Sequence, residues 1–192
     1  MRIIGGSRRG RKISGWEEAG IRPMRDFVRT SLFNILADLV SEANFLDLFC
    51  GTGSVGLEAL SRGASSAVFV DRAPGACKII RHNLDMLGFL EQGQVEEADF
   101  AVGIDRLQQR GQSFDLAFVG PPYGKGLADA SLHRLGEGRL LLPAAIVICE
   151  VRKGTEIAPS YGRLQVIDQR TYGDNVLFFH RLEEELTLTP FG

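Results

Sequence analysis

Apolar residues in this chain fall into two kinds of run that alternate. Residues 45–49, 66–70, 114–119 and 145–150 are short and nearly continuous, the pattern of strands covered on both faces. Between them lie stretches with apolar positions three and four apart, which predict amphipathic helices. Residues 25–40 carry Phe27, Val28, Leu32, Ile35, Leu36 and Leu39 at that spacing, and 73–87 carry Ala76, Ile79, Ile80, Leu84 and Leu87 before a stop at Gly88. Residues 54–61, 100–110 and 127–135 read as further helices, and 94–98 as a weak third strand. Near the end, 163–170 and 175–180 predict an antiparallel pair turning at Tyr172-Gly173-Asp174, while 2–14, broken by Gly5, Gly6 and Gly10, predict a short hairpin or arm. Strand–helix alternation implies an α/β, Rossmann-like fold: a mostly parallel twisted sheet, helices on both faces and a C-terminal antiparallel hairpin. The expected division is an arm at 1–24 and a main domain at 25–192.

The segment from Phe45 to Gly56 organises the rest. A buried strand ends in Gly51-Thr52-Gly53 and a helix starts at once, an order that brings free helix N–H groups against a ligand. Gly51-x-Gly53-x-x-Gly56, with Asp71 at the end of the next strand, fits a dinucleotide fingerprint as well as an S-adenosylmethionine site, so both ligands stay open on this evidence. Asp47, Gly51, Asp71, Asp99 and the loop Gly120-Pro121-Pro122-Tyr123 all fall at or just past strand ends, where open α/β sheets bind ligands. The loop narrows the choice. Its prolines remove N–H donors and hold carbonyls rigidly unpaired, which suits a flat group that donates from an amine and stacks on Tyr123. A dehydrogenase has no evident use for it.

Composition adds location and partner. The 192 residues, 44% hydrophobic with net charge −2, suit one soluble, cytoplasmic domain, with no apolar run long enough to span a membrane. Cys50, Cys77 and Cys149 are widely spaced in apolar segments and read as reduced core thiols. His82, His133 and His180 share no ligand or catalytic spacing, so no metal is expected. The charge is uneven. Arg2, Arg8, Arg9, Arg11, Lys12, Arg22, Arg25 and Arg29 face only Glu17, Glu18 and Asp26 in residues 1–30, a local charge of +5. That points to a polyanion contact at this end, with Trp16 as a packing residue or a base-stacking one. No long apolar surface stripe remains, so a monomer is expected.

The chain resembles the class I S-adenosylmethionine-dependent methyltransferases and, within them, the bacterial family that methylates a guanine N2 in 16S ribosomal RNA. The likeness rests on Arg2-Ile3-Ile4-Gly5-Gly6-x-x-Arg9-Gly10-Arg11, on Arg22-Pro23-x-x-Asp26-x-Val28-Arg29-x-x-Leu32-Phe33, on Leu46 through Gly63, and on the Tyr172-Gly173 corner. It implies that Gly51 and Gly53 pack against the methyl donor, with Phe49 and Arg72 beside them and Asp47 near its amino-acid end. Asp71 would accept from the ribose hydroxyls, Asp99 would face the adenine amine and Phe100 its ring. Gly120, Pro121, Pro122 and Tyr123 would hold the target base, and Arg8, Arg9, Arg11, Lys12, Arg22, Arg25 and Arg29 would grip ribosomal RNA or the small subunit. One position departs from the family. Where the family begins the loop with Asp or Asn, this chain has Gly120, which removes the side chain that receives the target amine. A slowed enzyme or a non-catalytic member that binds donor and RNA during subunit assembly are both compatible with that change. A DNA adenine-N6 methyltransferase and an NAD-dependent oxidoreductase are the further alternatives.

Overall fold

The nearly continuous apolar runs assemble into a single sheet. The structure is a computed structural model that describes residues 1–15 and 24–183; Trp16, Arg22 and Pro23 lie outside the described residues. Strands β1 (Asn44–Leu48), β2 (Ser66–Asp71), β3 (Gly93–Glu97), β4 (Phe114–Val119) and β5 (Leu141–Arg152) run parallel where they pair. Strands β6 (Ser160–Tyr161), β7 (Leu164–Tyr172) and β8 (Asn175–Leu182) extend the sheet antiparallel. The order is β3-β2-β1-β4-β5-β8-β7-β6. Chain direction across the sheet therefore reverses between β1 and β4, and the crevice beyond their carboxyl ends is where such a sheet binds ligands.

Among the described residues five α-helices cover the sheet: α1 (Asp26–Leu36), α2 (Ser54–Ser61), α3 (Pro74–Leu87), α4 (Phe100–Gln109) and α5 (Leu127–Glu137). One apolar layer joins α1, α2 and α3 to Phe45, Phe69, Phe118, Ile148 and Leu177; the other joins α4 and α5 to Leu46, Val70, Val119, Cys149 and Val176. Adjacent residues of β1, β2, β4, β5 and β8 thus serve opposite layers, the period-two geometry of strands buried on both faces. None of the described helices is long and apolar enough to cross a membrane.

Three expectations change. The helix predicted over 25–40 ends at Leu36, where Ala37 takes a φ of 41°, and a 3-10 turn continues to Val40. Six apolar positions made too wide a stripe for one buried face: Val28, Leu32 and Leu36 are buried, while Phe27 and Leu39 are 70% and 58% exposed. His180, expected at a strand end, is buried within β8 with Nδ1 3.3 Å from the Val147 carbonyl. Its pKa is lowered by that burial.

The third concerns the arm, expected as a glycine-broken hairpin that contacts a polyanion. Residues 1–15 are docked on the body. Ile3 and Ile13 enter the core beside α1, and Arg2 bridges to Lys12. The buried Glu58 carboxylate accepts from Ile4 N at 2.8 Å and Gly5 N at 2.7 Å. Gly6 has φ +73°, and a Cβ there would stand 1.7 Å from the Ser61 carbonyl oxygen. These glycines permit close approach to α2.

Candidate active site

The end of β1 sets the site. Asp47 points to the α1–α3 side of the sheet and is buried, with Oδ2 accepting from Gly56 N at 2.9 Å in the first turn of α2. Burial raises its pKa to about 7, helped by the nearby Asp71 charge and opposed by the Gly56 bond. Beyond it the chain turns through Phe49 (φ 59°), Gly51 (φ 55°) and Gly53 (φ 74°). A phenylalanine in the left-handed region is strained by about 1–3 kcal/mol, and such strain clusters at ligand sites. Asp71, at the end of β2, stitches the turn to its own loop: Oδ2 accepts from Gly51 N and Oδ1 from Ala73 N, each at 2.9 Å. A carboxylate has about four acceptor positions, so these two bonds fix its orientation and leave capacity for a ligand hydroxyl.

Asp47, Phe49, Gly51 and Asp71 line a cleft of about 440 Å³ together with Arg72, Asp99, Phe100, Pro121, Pro122 and Tyr123. Phe49 and Phe100 face each other at 5.3 Å and 37°, forming an aromatic wall. Asp99 sits at the start of α4 and also caps it, accepting from Ala101 N at 3.1 Å. Gly120 N donates to the Leu48 carbonyl at 3.3 Å, which ties the proline loop to the end of β1.

Of the residues expected to hold a cofactor, all but one reach this cleft. Gly53 does not line it. It starts α2 from the left-handed region, and a Cβ there would meet Ile80 at 3.1 Å and Phe69 at 3.3 Å, so its role is to seat the helix on the sheet. The basic residues divide. Arg29, expected to grip RNA, is fully buried, donating to the Arg2 carbonyl at 2.7 Å and Asp26 at 3.1 Å with Glu58 at 3.8 Å. It is a core cation whose pKa burial lowers, and it is not a phosphate ligand. Arg8 and Arg11 donate to the Leu87 and Met86 carbonyls at the end of α3, where cations suit the helix dipole; Arg8 also stacks over Phe89. Arg9 and Lys12 are exposed, and Arg25 enters the cleft while donating to the Tyr172 carbonyl at 3.2 Å. Arg22 lies outside the described residues.

The cleft also contains residues that sequence reading passed over: Met24, Cys50, Thr52, Phe118, Glu150 and Asn175 among them. Glu150 carried a usable signal, as an acid closing an otherwise apolar strand. Cys50, Cys77 and Cys149 are all buried free thiols, each with its pKa pushed up by burial. Among the described residues no group of His, Cys, Asp and Glu is arranged to hold a metal ion.

Residues 1–181 match the model of the family described as Conserved hypothetical protein 95. The chain belongs to that family. Its relatives include Ribosomal RNA small subunit methyltransferase D of Escherichia coli K12, 34% identical over 83% of this chain and 80% of that protein. YlbH of Bacillus subtilis strain 168, whose name carries a provisional rRNA methyltransferase assignment, is 32% identical over 90% of this chain and 94% of its own length. The solved Escherichia coli protein yhhF, described as a methyltransferase, superposes with a TM-score of 0.83 at 30% identity, covering 95% of this chain and 98% of that one. This family member is an S-adenosylmethionine-dependent methyltransferase of Rossmann-like fold. The donor set of its cleft fits that cofactor. Asp47 is a carboxylate whose pKa burial raises to about 7, so a cation set beside it favours its charged form, which suits an ammonium. Asp71 presents an oriented acceptor pair for a diol, and Asp99 with the Phe49–Phe100 wall suits a flat ring carrying an amine.

Proposed function

We propose that this protein transfers the methyl group of S-adenosylmethionine to the exocyclic N2 amine of a guanine in 16S ribosomal RNA. One observation carries the reading: in a chain of this family, the carboxylates suited to the donor and the Pro121-Pro122-Tyr123 loop line the same cleft. When bound, S-adenosylmethionine supplies a methyl carbon made electrophilic by its sulfonium. Asp47 holds the ammonium end, Asp71 the ribose hydroxyls, and Asp99 with Phe49 and Phe100 the adenine. Pro121 and Pro122 offer rigid carbonyls to the target amine, and Tyr123, about half exposed, gives the base a stacking face. Exposed Arg9 and Lys12, with Arg25 at the cleft, contact RNA phosphate.

Methyl transfer of this kind is governed by positioning, and removing one preorganised polar partner typically costs about 10²–10³ in rate. Gly120 therefore motivates a second reading, a donor- and RNA-binding protein without turnover. An Asp at 120 is not a free addition either, since its Cβ would stand 2.8 Å from Cε1 of Phe118, a ring that also lines the cleft. The test is transfer from labelled S-adenosylmethionine to small subunits lacking the modification, followed by nucleotide mapping. Label in a single guanine N2 of 16S RNA is the expected result. Label in adenine of DNA, or bound donor with no transfer by either the natural protein or Gly120→Asp, sinks the proposal.

A further inference from the structure

Gly120 leaves the target amine without the side-chain acceptor that the loop's first position would otherwise carry, yet the sheet places a carboxylate beside it. Strands β4 and β5 pair in parallel with Phe118 opposite Ile148 and Val119 opposite Cys149. Extending that register by one rung sets Glu150 opposite Gly120, the first residue past β4. Phe118 and Ile148 belong to the same apolar layer, so the residues two positions on, 120 and 150, project to that same side. Both line the cleft with the Pro-Pro-Tyr loop. Glu150 is only 9% exposed, and its Oε1 accepts from Nδ2 of Asn175. Asn175 lines the cleft as well, from β8, two residues before Leu177, the partner of Glu150 in the sheet. Asp47, Gly120, Glu150 and Asn175 thus step diagonally along one face, across the carboxyl ends of β1, β4 and β5 and the start of β8.

We propose that Glu150, held in orientation by Asn175, is the carboxylate acceptor for the amine-bearing edge of the target guanine and replaces the side chain missing at position 120. This rests on the guanine-N2 reading above. Guanine offers two parallel donors, N1–H and one N2–H, which a carboxylate accepts together; adenine offers one donor beside an acceptor nitrogen and is repelled at the second oxygen. The same contact serves the reaction. As the N2 lone pair forms its bond to the methyl carbon, the carbon–sulfur bond breaks and its electron pair returns to sulfur. The nitrogen then sheds one proton, which passes to the Glu150 carboxylate and on to water.

The test compares Glu150→Gln with the natural protein on unmodified small subunits, measuring kcat, KM for subunits, S-adenosylmethionine affinity by calorimetry, and Tm. The expected result is a kcat lower by about 10²–10³-fold with donor affinity and KM changed less than threefold. Glu150→Asp, which keeps the charge but withdraws it by one methylene, should fall between the two and serves if the glutamine variant folds poorly. Equal kcat for Glu150→Gln and the natural protein overturns the assignment and leaves the proposed function standing. Turnover that appears only after Gly120→Asp overturns it too, because Glu150 would then not substitute for the missing side chain. Silence from all variants with donor bound removes both this assignment and the guanine-N2 reading.

Discussion

Glu58 is the residue whose loss should cost this fold most for its size. Its side chain is fully buried in α2 and meets four partners: Ile4 N at 2.8 Å, Gly5 N at 2.7 Å, Arg62 Nε at 2.8 Å and Arg29 Nε at 3.8 Å. Among the described residues, Glu58→Ala leaves the buried Arg29 charge with the largely exposed Asp26 as its counter-ion, and leaves two backbone donors of the arm without that acceptor. Breaking a buried ion pair by removing one partner costs about 3–5 kcal/mol. At about 2–4 °C per kcal/mol for a chain of this size, Tm should fall by about 10 °C, measured by circular dichroism. The deficit should persist in high salt, because a pair out of water is poorly screened. The arm should also become cleavable within residues 1–15 under limited proteolysis at a temperature where the natural protein resists. Arg29→Met combined with Glu58→Ala should be less destabilised than the sum of the two single variants, since no orphaned charge remains. A Tm loss under about 3 °C for Glu58→Ala, or strict additivity of the pair, would refute the account of a buried charge that anchors the arm.

Three further outcomes can be checked. Because the native state raises the pKa of Asp47 to about 7, it binds that proton more tightly than the unfolded chain; the resulting stability is full below about pH 4 and is lost as pH rises through 7. The difference in Tm between natural protein and Asp47→Asn should therefore change across pH 4–7 and flatten above it, and S-adenosylmethionine should bind with proton release near pH 6, seen by calorimetry in buffers of different ionisation enthalpy. Charge reversal of exposed Arg9 and Lys12 should weaken RNA binding and reduce its salt slope by about one per lost phosphate contact, with cofactor affinity unchanged; equal loss of both would contradict their role. Phe27 is 70% exposed and edge-on to Tyr172 at 5.8 Å, so Phe27→Ala should leave Tm nearly unchanged; if RNA stacks a base on this ring, the variant should weaken RNA binding by about fivefold or more in a filter or anisotropy assay.

The elements with one dominant signal were legible in the chain. Residues 54–61 and 114–119 form the predicted helix and strand without adjustment, because glycine punctuation and a closed apolar run bound them. Boundaries drifted where propensity competes with packing. Strand β5 begins at Leu141, four residues before its apolar core, and Ser160–Tyr161 forms a strand through a pairing with β7 that no local pattern announces. The α1 region misled most. Its apolar residues are right for a helix but exceed what one face can bury, and the surplus, Phe27 and Leu39, stands in solvent. Charge was equally ambiguous: Arg9 and Arg29 look alike in a basic sequence, yet only tertiary contacts make one a surface cation and the other a core one.

The site divides along the same line. Asp47, Asp71 and Asp99 were legible because each closes or follows a strand, so sequence position alone puts them on one rim. Glu150 also ends an apolar run, yet nothing local says which strand lies beside it; that depends on β5 inserting between β4 and β8. Only the register brings it next to Gly120, 30 residues earlier in sequence. The loss of a side chain at 120 looks disabling when the loop is read as an isolated motif. On the assignment of Glu150 proposed above, what the reaction needs is an oriented acceptor at a point in space, which either the residue after β4 or one on β5 can supply. Gly120 then also gives the Phe118 ring its room, since any Cβ at 120 would crowd Cε1 at 2.8 Å. An acid on β5 and a glycine just past β4 form one coherent arrangement, which is why the natural protein, rather than Gly120→Asp, is expected to be the competent enzyme.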